Sequence, residues 1–286
     1  MVNSRIKILE SDLRDRISHF VGNNSNWRSP CYNALHKLQE FDQYAFLCGG
    51  AVRDILLSRR SNNIVPRDLD IVLGNTELGK VAASFSDSVK RWNCYGGVSI
   101  QIKDWSIDLW SLNKTWAFAE KLVEGKGFSD FPKTTFLDIE AVAVQLFSRR
   151  KRKREIYSKG FFEAILKKTI EINLEENPNP SMCIVRSLSV ASKFKFALGP
   201  KLAKYIAHYT SQIDLEELWT LYKIRYKCNY VSLETFCLYI KAIEEQLRIS
   251  NKQSVKLPTP DNTYYSHPRL WNTPVQGDIE SLFVSK

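Results

Sequence analysis

Three consecutive pieces of this chain restrict its fold more than anything else in it: YAFLCGG (44–50), AVRDILLSRR (51–60) and DLDIVLG (68–74). The first is an apolar run broken by two glycines, which reads as a strand ending in a tight turn. The second continues as a helix. The third alternates acidic and apolar residues with period two, the signature of a strand with one polar and one apolar face. Asp68 and Asp70 then project from the same side. Two carboxylates held that close require a cation, and hard oxygen donors suit Mg²⁺.

A third acid is expected on a neighbouring strand. GGVSIQI (96–102) and WSIDLWSL (105–112) read as a hairpin with a short turn at Lys103-Asp104. In the second strand Ile107 and Leu109 point to the core, while Ser106, Asp108 and Trp110 point the other way. Asp108 is therefore preferred to the turn residue Asp104 as the third carboxylate. Gly49 and Gly50 leave backbone amides open to a phosphate at the start of the helix that follows. Arg53 adds a charged fork for phosphate or for a structural carboxylate, and Asp54 is expected to cap the helix or to pair with Arg53.

On either side of this segment the pattern is helical. Ile6, Leu9, Leu13, Ile17 and Phe20 recur at helical spacing, so residues 5–21 are predicted to be an amphipathic helix, and a shorter one carries Leu35, Leu38 and Phe41. Downstream, FLDIEAVAVQLF, FFEAILKKTIEI, SMCIVRSLSVASKFKF, LAKYIAHYT, LEELWTLYKIRY and SLETFCLYIKAIEEQL all read as helices of a bundle. The predicted class is α+β: a head built on a small mixed sheet with helices, followed by an all-α neck and body. The expected divisions are N-terminal helices over 1–43, a catalytic head over 44–145, a helical body over 146–250 and a Pro/Asn-rich tail over 251–286.

With Lys+Arg 41 against Asp+Glu 31, the formal charge of +10 favours polyanionic partners. The six cysteines include no C-x-x-C pair and there are four histidines, a composition that argues against a zinc site or a disulfide framework. The N-terminus lacks the apolar core of a signal peptide, and no apolar run reaches membrane-spanning length, so a cytoplasmic protein with no membrane partner is expected. The run SRRKRKREIYSKG from Ser148 supplies Arg149, Arg150, Lys151 and Arg152 as candidates for gripping a nucleic-acid backbone, as does Lys193. Tyr264, Tyr265 and Trp271 either stack on bases or pin the tail to the body.

GG-A-VRD-ILL followed by D-L-D-I-V resembles the head of the CCA-adding tRNA nucleotidyltransferase and bacterial poly(A) polymerase family, within the DNA polymerase beta superfamily. TTFLDIEAVAVQL and CIVRSLSVASKFKFALGPKLAKYI resemble later family segments, so the resemblance runs from Phe46 to Ile206. It implies a two-metal nucleotidyltransferase, using Mg²⁺ or Mn²⁺, with Asp68, Asp70 and Asp108 as catalytic and metal-binding residues and Gly49, Gly50, Arg53 and Arg186 as nucleotide-binding residues. The partners implied are an NTP or dNTP and a nucleic-acid 3′ end, tRNA or oligonucleotide. The chain departs from the family in three places. SRRSNNIVP lengthens the stretch between Gly50 and Asp68. Lys133-Thr134-Thr135-Phe136 stands where the family has Arg-Arg-Asp. Asn179, Pro180 and Cys183 stand where a base-selecting Glu-Asp-x-x-Arg precedes the neck, so CCA specificity does not carry over. A short body points to a specialised enzyme, such as a toxin or a defence protein. The alternatives are a nucleotidyltransferase that modifies a protein or small-molecule hydroxyl or primes itself, and an inactive RNA-binding module.

Overall fold

The computed structural model describes residues 2–25, 29–58, 66–74, 76–93, 95–125, 127–148, 152–226 and 231–259. Its described residues divide into two compact units, one over residues 2–135 and 140–162, the other over 136–139 and 163–259.

In the first unit, helices α1 (Val2–Gly22) and α2 (Ser29–Phe41) precede strand β1 (Ala45–Cys48), helix α3 (Gly49–Leu57) and strand β2 (Asp68–Leu73). Helix α4 (Leu78–Ser84), strands β3 (Val89–Trp92), β4 (Val98–Ile102) and β5 (Trp105–Ser111), and a short helix α5 (Trp116–Ala119) follow, and β6 (Val142–Gln145) and β7 (Ile156–Ser158) complete the unit. The seven strands form one sheet in the order β3-β4-β5-β2-β1-β6-β7. Only β2 and β5 run parallel; the other neighbours are antiparallel.

Strand alternation gives the sheet two unlike faces. Leu47, Leu69, Ile71, Ile107 and Leu109 are fully buried on one side, where α3 lies on β1, β2 and β6, and α2 and α4 lie on β4. The opposite side carries the acidic residues and, next to them, a cluster of Phe46, Val72 and Ala143 covered by Leu112, Phe118, Phe128 and Phe131. Phe46 and Phe128 stack with ring centroids 4.0 Å apart.

Two of the predicted helices are corrected. FLDIEAVAVQLF contains β6, hydrogen-bonded between β1 and β7. Val142, Ala143 and Val144 are buried on both faces, and a short apolar run of that kind has no alternation to separate strand from helix. FFEAILKKTIEI starts as helix α6 (Phe161–Lys167), but Lys168 adopts φ 51° and the chain leaves as strand β8 (Thr169–Ile170). Because β7 pairs with β6, the first unit runs past residue 145 to Phe162.

The second unit continues with α7 (Pro180–Phe194), β9 (Ala197–Leu198), α8 (Pro200–Thr210), α9 (Leu215–Tyr226) and α10 (Leu233–Ile249), and β8 pairs with β9 in parallel. The Asn179 side chain caps α7 by accepting from the Met182 amide at 3.0 Å. Lys195, left-handed at φ 53°, ends that helix. Leu188, Leu202, Ile206, Leu218, Phe236 and Ile243 are buried along the helices. Among the described residues no helix is long and apolar enough to cross a membrane.

A half-buried acid joins the start of this unit to α8. The Asp138 carboxylate accepts the Glu171 amide at 2.9 Å. The Glu171 carboxylate accepts the amides of Lys201 at 3.0 Å and Leu202 at 2.7 Å, which satisfies the first turn of α8. Burial, reinforced by the Glu171 charge, pushes Asp138 up to about 7 against the opposing pull of its backbone hydrogen bonds and Lys167. The folded chain thus holds a proton that the unfolded chain releases near the ordinary carboxylate value. Stability contributed by this proton is complete below about pH 4 and is lost as pH rises through about 7, a change of roughly 2–4 kcal/mol. Asp138→Asn keeps an acceptor for the Glu171 amide and has no proton to lose. Urea denaturation at pH 4.5 and 7.5 is expected to show a larger loss of stability for the wild type than for Asp138→Asn; equal losses would rule this account out.

Candidate active site

The acidic residues meet through strand register. In the parallel pair β2–β5, Asp70 lies opposite Asp108 and Asp68 opposite Ser106. Asp68, Asp70 and Asp108 therefore share one face of two adjacent strands, and all three are half-buried. Asp104 is exposed in the hairpin turn, away from this row. On the other side of β2, Cys48 lies opposite Asp70, so the Gly49-Gly50 turn emerges directly beside that carboxylate. Gly49 has φ +65°, a left-handed conformation that side-chain-bearing residues rarely adopt, and a Cβ there would stand 3.9 Å from Asp70 Oδ2. The backbone conformation, rather than a clash, is what calls for glycine beside the carboxylate.

Asp68 and Asp108 each have a neighbour that orients the carboxylate. Arg67 donates to Asp68 Oδ2 from Nη2 at 2.6 Å and from Nε at 3.1 Å. Ser99 lies opposite Asp108 in the β4–β5 pair, and its hydroxyl donates to Asp108 Oδ1. Burial, together with the Asp70 charge, pushes the Cys48 thiol well above its ordinary value. Cys48 therefore stays neutral beside the acids and adds no further negative charge.

Among the described residues no group of three or more His, Cys, Asp or Glu side chains is drawn together closely enough to hold a metal ion. Asp68 is paired with Arg67, and Asp108 with Ser99. The oxygen donors and their common face nonetheless fit a hard divalent ion, which needs only one or two carboxylates and completes its shell with water and phosphate. Asp68 would exchange Arg67 for the ion by a rotamer change at a partly exposed side chain.

Arg53 is placed differently from a phosphate-facing fork. It is 7% exposed and donates from Nη1 to Glu140 Oε1 at 2.5 Å and from Nε to Asp54 Oδ1 at 2.8 Å. A Cβ on Gly50 would lie 3.3 Å from Arg53 Nη2 and 3.6 Å from Glu140 Oε1. The second glycine of the turn thus gives clearance to a buried ion pair beneath it. Of the two uses proposed for Arg53, the structure shows the structural carboxylate, and the pairing of Arg53 with Asp54 is observed.

The remaining candidates are dispersed. Arg186 and Lys193 lie on α7 in the second unit, with Lys193 Nζ 4.9 Å from the Phe194 ring centroid. Arg152 is exposed. Arg149, Arg150, Lys151 and the tail residues Tyr264, Tyr265 and Trp271 lie outside the described residues, as does most of the SRRSNNIVP stretch. Arg154, from the same basic run, is buried and donates to the carbonyls of Gln145 and Leu146 and to Ser18 Oγ.

Three contributors were not anticipated: Arg67, Ser99 and Glu140. Ser99 was legible, because a two-residue turn at Lys103-Asp104 fixes which residue of β4 faces Asp108. Glu140 had no such signal, being far along the chain from Arg53.

No protein-family model and no curated protein matches the sequence. Solved structures do. One described as a tRNA-processing enzyme complex aligns with 76% of this chain and 55% of its own at 16% identity, with a TM-score of 0.51. The chain shares its α+β fold. An apo form of a CCA-adding enzyme aligns with 66% of this chain and 46% of its own at 17% identity, with a TM-score of 0.49. A tRNA nucleotidyltransferase complexed with a primer tRNA and an incoming ATP analogue aligns with 72% and 56% at 17% identity and 0.48. This chain spans about half the length of the structures it matches. In this chain the seven-stranded unit comes first and the helical unit follows it.

Proposed function

We propose that the protein is a metal-dependent, template-independent nucleotidyltransferase that moves a nucleoside monophosphate from an NTP or dNTP to the 3′-hydroxyl of a nucleic acid. The observation that carries this reading is the pairing of Asp70 with Asp108 across β2 and β5, with Asp68 on the same face and an open glycine turn beside them. Asp68 and Asp70, with Asp108, would hold two Mg²⁺ or Mn²⁺ ions. Such ions, when bound, neutralise phosphate charge and make a hydroxyl a stronger nucleophile.

The chain's own groups have separable tasks. Gly49 and Gly50 let the triphosphate approach the backbone at the start of α3. Arg53 acts beneath that turn as a positioning residue. Asp108, oriented by Ser99, accepts the acceptor hydroxyl's proton as the oxygen attacks the α-phosphorus. A phosphodiester forms there, the bond to the β-phosphate breaks, and pyrophosphate leaves. The acceptor is assigned from the basic charge of the chain and from the fold it shares with a tRNA-processing enzyme.

Incubation with each α-labelled NTP and dNTP, with Mg²⁺ or Mn²⁺ and with or without total tRNA, tests the reading. Label entering RNA is the expected result. Label on the protein or in free oligomers would replace the acceptor, and no transfer with any nucleotide and acceptor would overturn the proposal.

A further inference from the structure

The acid-bearing face continues past Asp108 to the edge of the sheet. Strand pairing sets Asp70, Asp108, Ser99 and Arg91 in one row across β2, β5, β4 and β3. Between Val89 and Arg91 the pairing shifts: Val89 lies opposite Ile100, and Arg91 opposite Ser99, with Lys90 as the extra residue. Such a bulge sets two residues of one strand against one of its partner and re-aims their side chains. Lys90 and Arg91 are thereby both brought to the Ser99 position. At about 4.8 Å per strand, the Arg91 backbone is about 14 Å from that of Asp70.

Both side chains are exposed on the edge strand. Neither forms a hydrogen bond or ion pair with another described residue. Cations on an edge strand also discourage sheet-to-sheet pairing. That task is met by charge on either face, whereas the register sets Arg91 at the end of the row that holds the acids, with Lys90 beside it as the extra residue of the bulge.

We propose that Lys90 and Arg91 form a docking strip for the phosphate backbone of a single-stranded nucleic acid whose 3′ end lies at Asp108. The inference rests on the function proposed above and identifies where the strand leading to the reacting end is held. A backbone crossing β4 from Asp108 meets two uncompensated positive charges at the sheet edge. Contacts of this kind carry no base preference.

Binding of a fluorescent twelve-nucleotide oligoribonucleotide, followed by anisotropy without NTP over a range of KCl concentrations, tests the strip. Two lost phosphate contacts at about 0.7 each are expected to make the slope of log affinity against log salt shallower by about 1.4 and to weaken binding roughly 10- to 30-fold at 0.1 M salt. Lys90→Gln/Arg91→Gln is the variant for that measurement, and Lys90→Arg/Arg91→Lys is expected to retain the wild-type slope. Should the double Gln variant fail to fold, the single variants are each expected to remove about half the slope change. Unchanged affinity and slope, with or without aggregation of the Gln variant, would overturn the strip, and so would a wild type that does not bind the oligonucleotide. The readout needs no transfer: salt-dependent binding through these residues in a protein that transfers nothing leaves the strip and removes the proposed activity, and transfer with unaltered binding does the reverse.

Discussion

Asp70→Asn and Asp108→Asn are each expected to slow nucleotidyl transfer at saturating NTP by about a thousandfold or more, with little change in the unfolding temperature. The size follows from the charge stabilisation that a carboxylate-held metal site supplies, several kcal/mol, where each 1.36 kcal/mol is about tenfold in rate. Little stability should be lost, because both residues are half-buried acids on one face and Asn keeps an acceptor for the Ser99 hydroxyl at position 108. Asp68→Asn also gives up the ion pair with Arg67, whose partners are 34% and 22% exposed; exposed pairs of this kind contribute about 0–1 kcal/mol. Asp104→Asn, in the hairpin turn, serves as the control and is expected to leave the rate unchanged. Label-transfer rates and melting curves on the same preparations separate the roles. A rate for Asp70→Asn within tenfold of wild type would remove the carboxylate row from the chemistry.

What could be read in advance depended on how local the cause was. Asp68 and Asp70 stand two apart on one strand, and the apolar run before Gly49 reads as a strand by the same logic. The β4–β5 hairpin was legible because its turn and its alternation agree. The facing of Asp70 and Asp108 was reachable only through the same-face argument, since strands that far apart in sequence reveal no register by themselves. Val142–Gln145 reads as helix in the sequence because Val142, Ala143 and Val144 are buried on both sides inside the sheet, where period two disappears. The bulge at Lys90 has no composition of its own. It exists because β3 and β4 pair out of step at one residue, which only the assembled sheet displays.

The largest effect on stability is expected at Glu140. Its carboxylate and the Arg53 guanidinium are both buried, 5% and 7% exposed, and removing one partner strands the other charge in the interior. Glu140→Ala and Arg53→Ala should each cost about 3–5 kcal/mol, which for a chain of this size lowers the melting temperature by roughly 10 °C. Arg53→Lys should recover only part of the loss, because one ammonium cannot reproduce a fork that reaches Glu140 from Nη1 and Asp54 from Nε. Replacing both partners, Arg53→Met with Glu140→Leu, removes the two buried charges together, leaves only the partly exposed Asp54 without its Arg53 contact, and should be closer to wild type than either single change. The pair lies under Gly50, so the double variant also separates support of the glycine turn from direct contact with the triphosphate. If Arg53 works only by holding the turn, the KM for NTP in the folded double variant should stay within a few-fold of wild type. If its guanidinium itself contacts the triphosphate, KM should rise by tenfold or more while the melting temperature recovers.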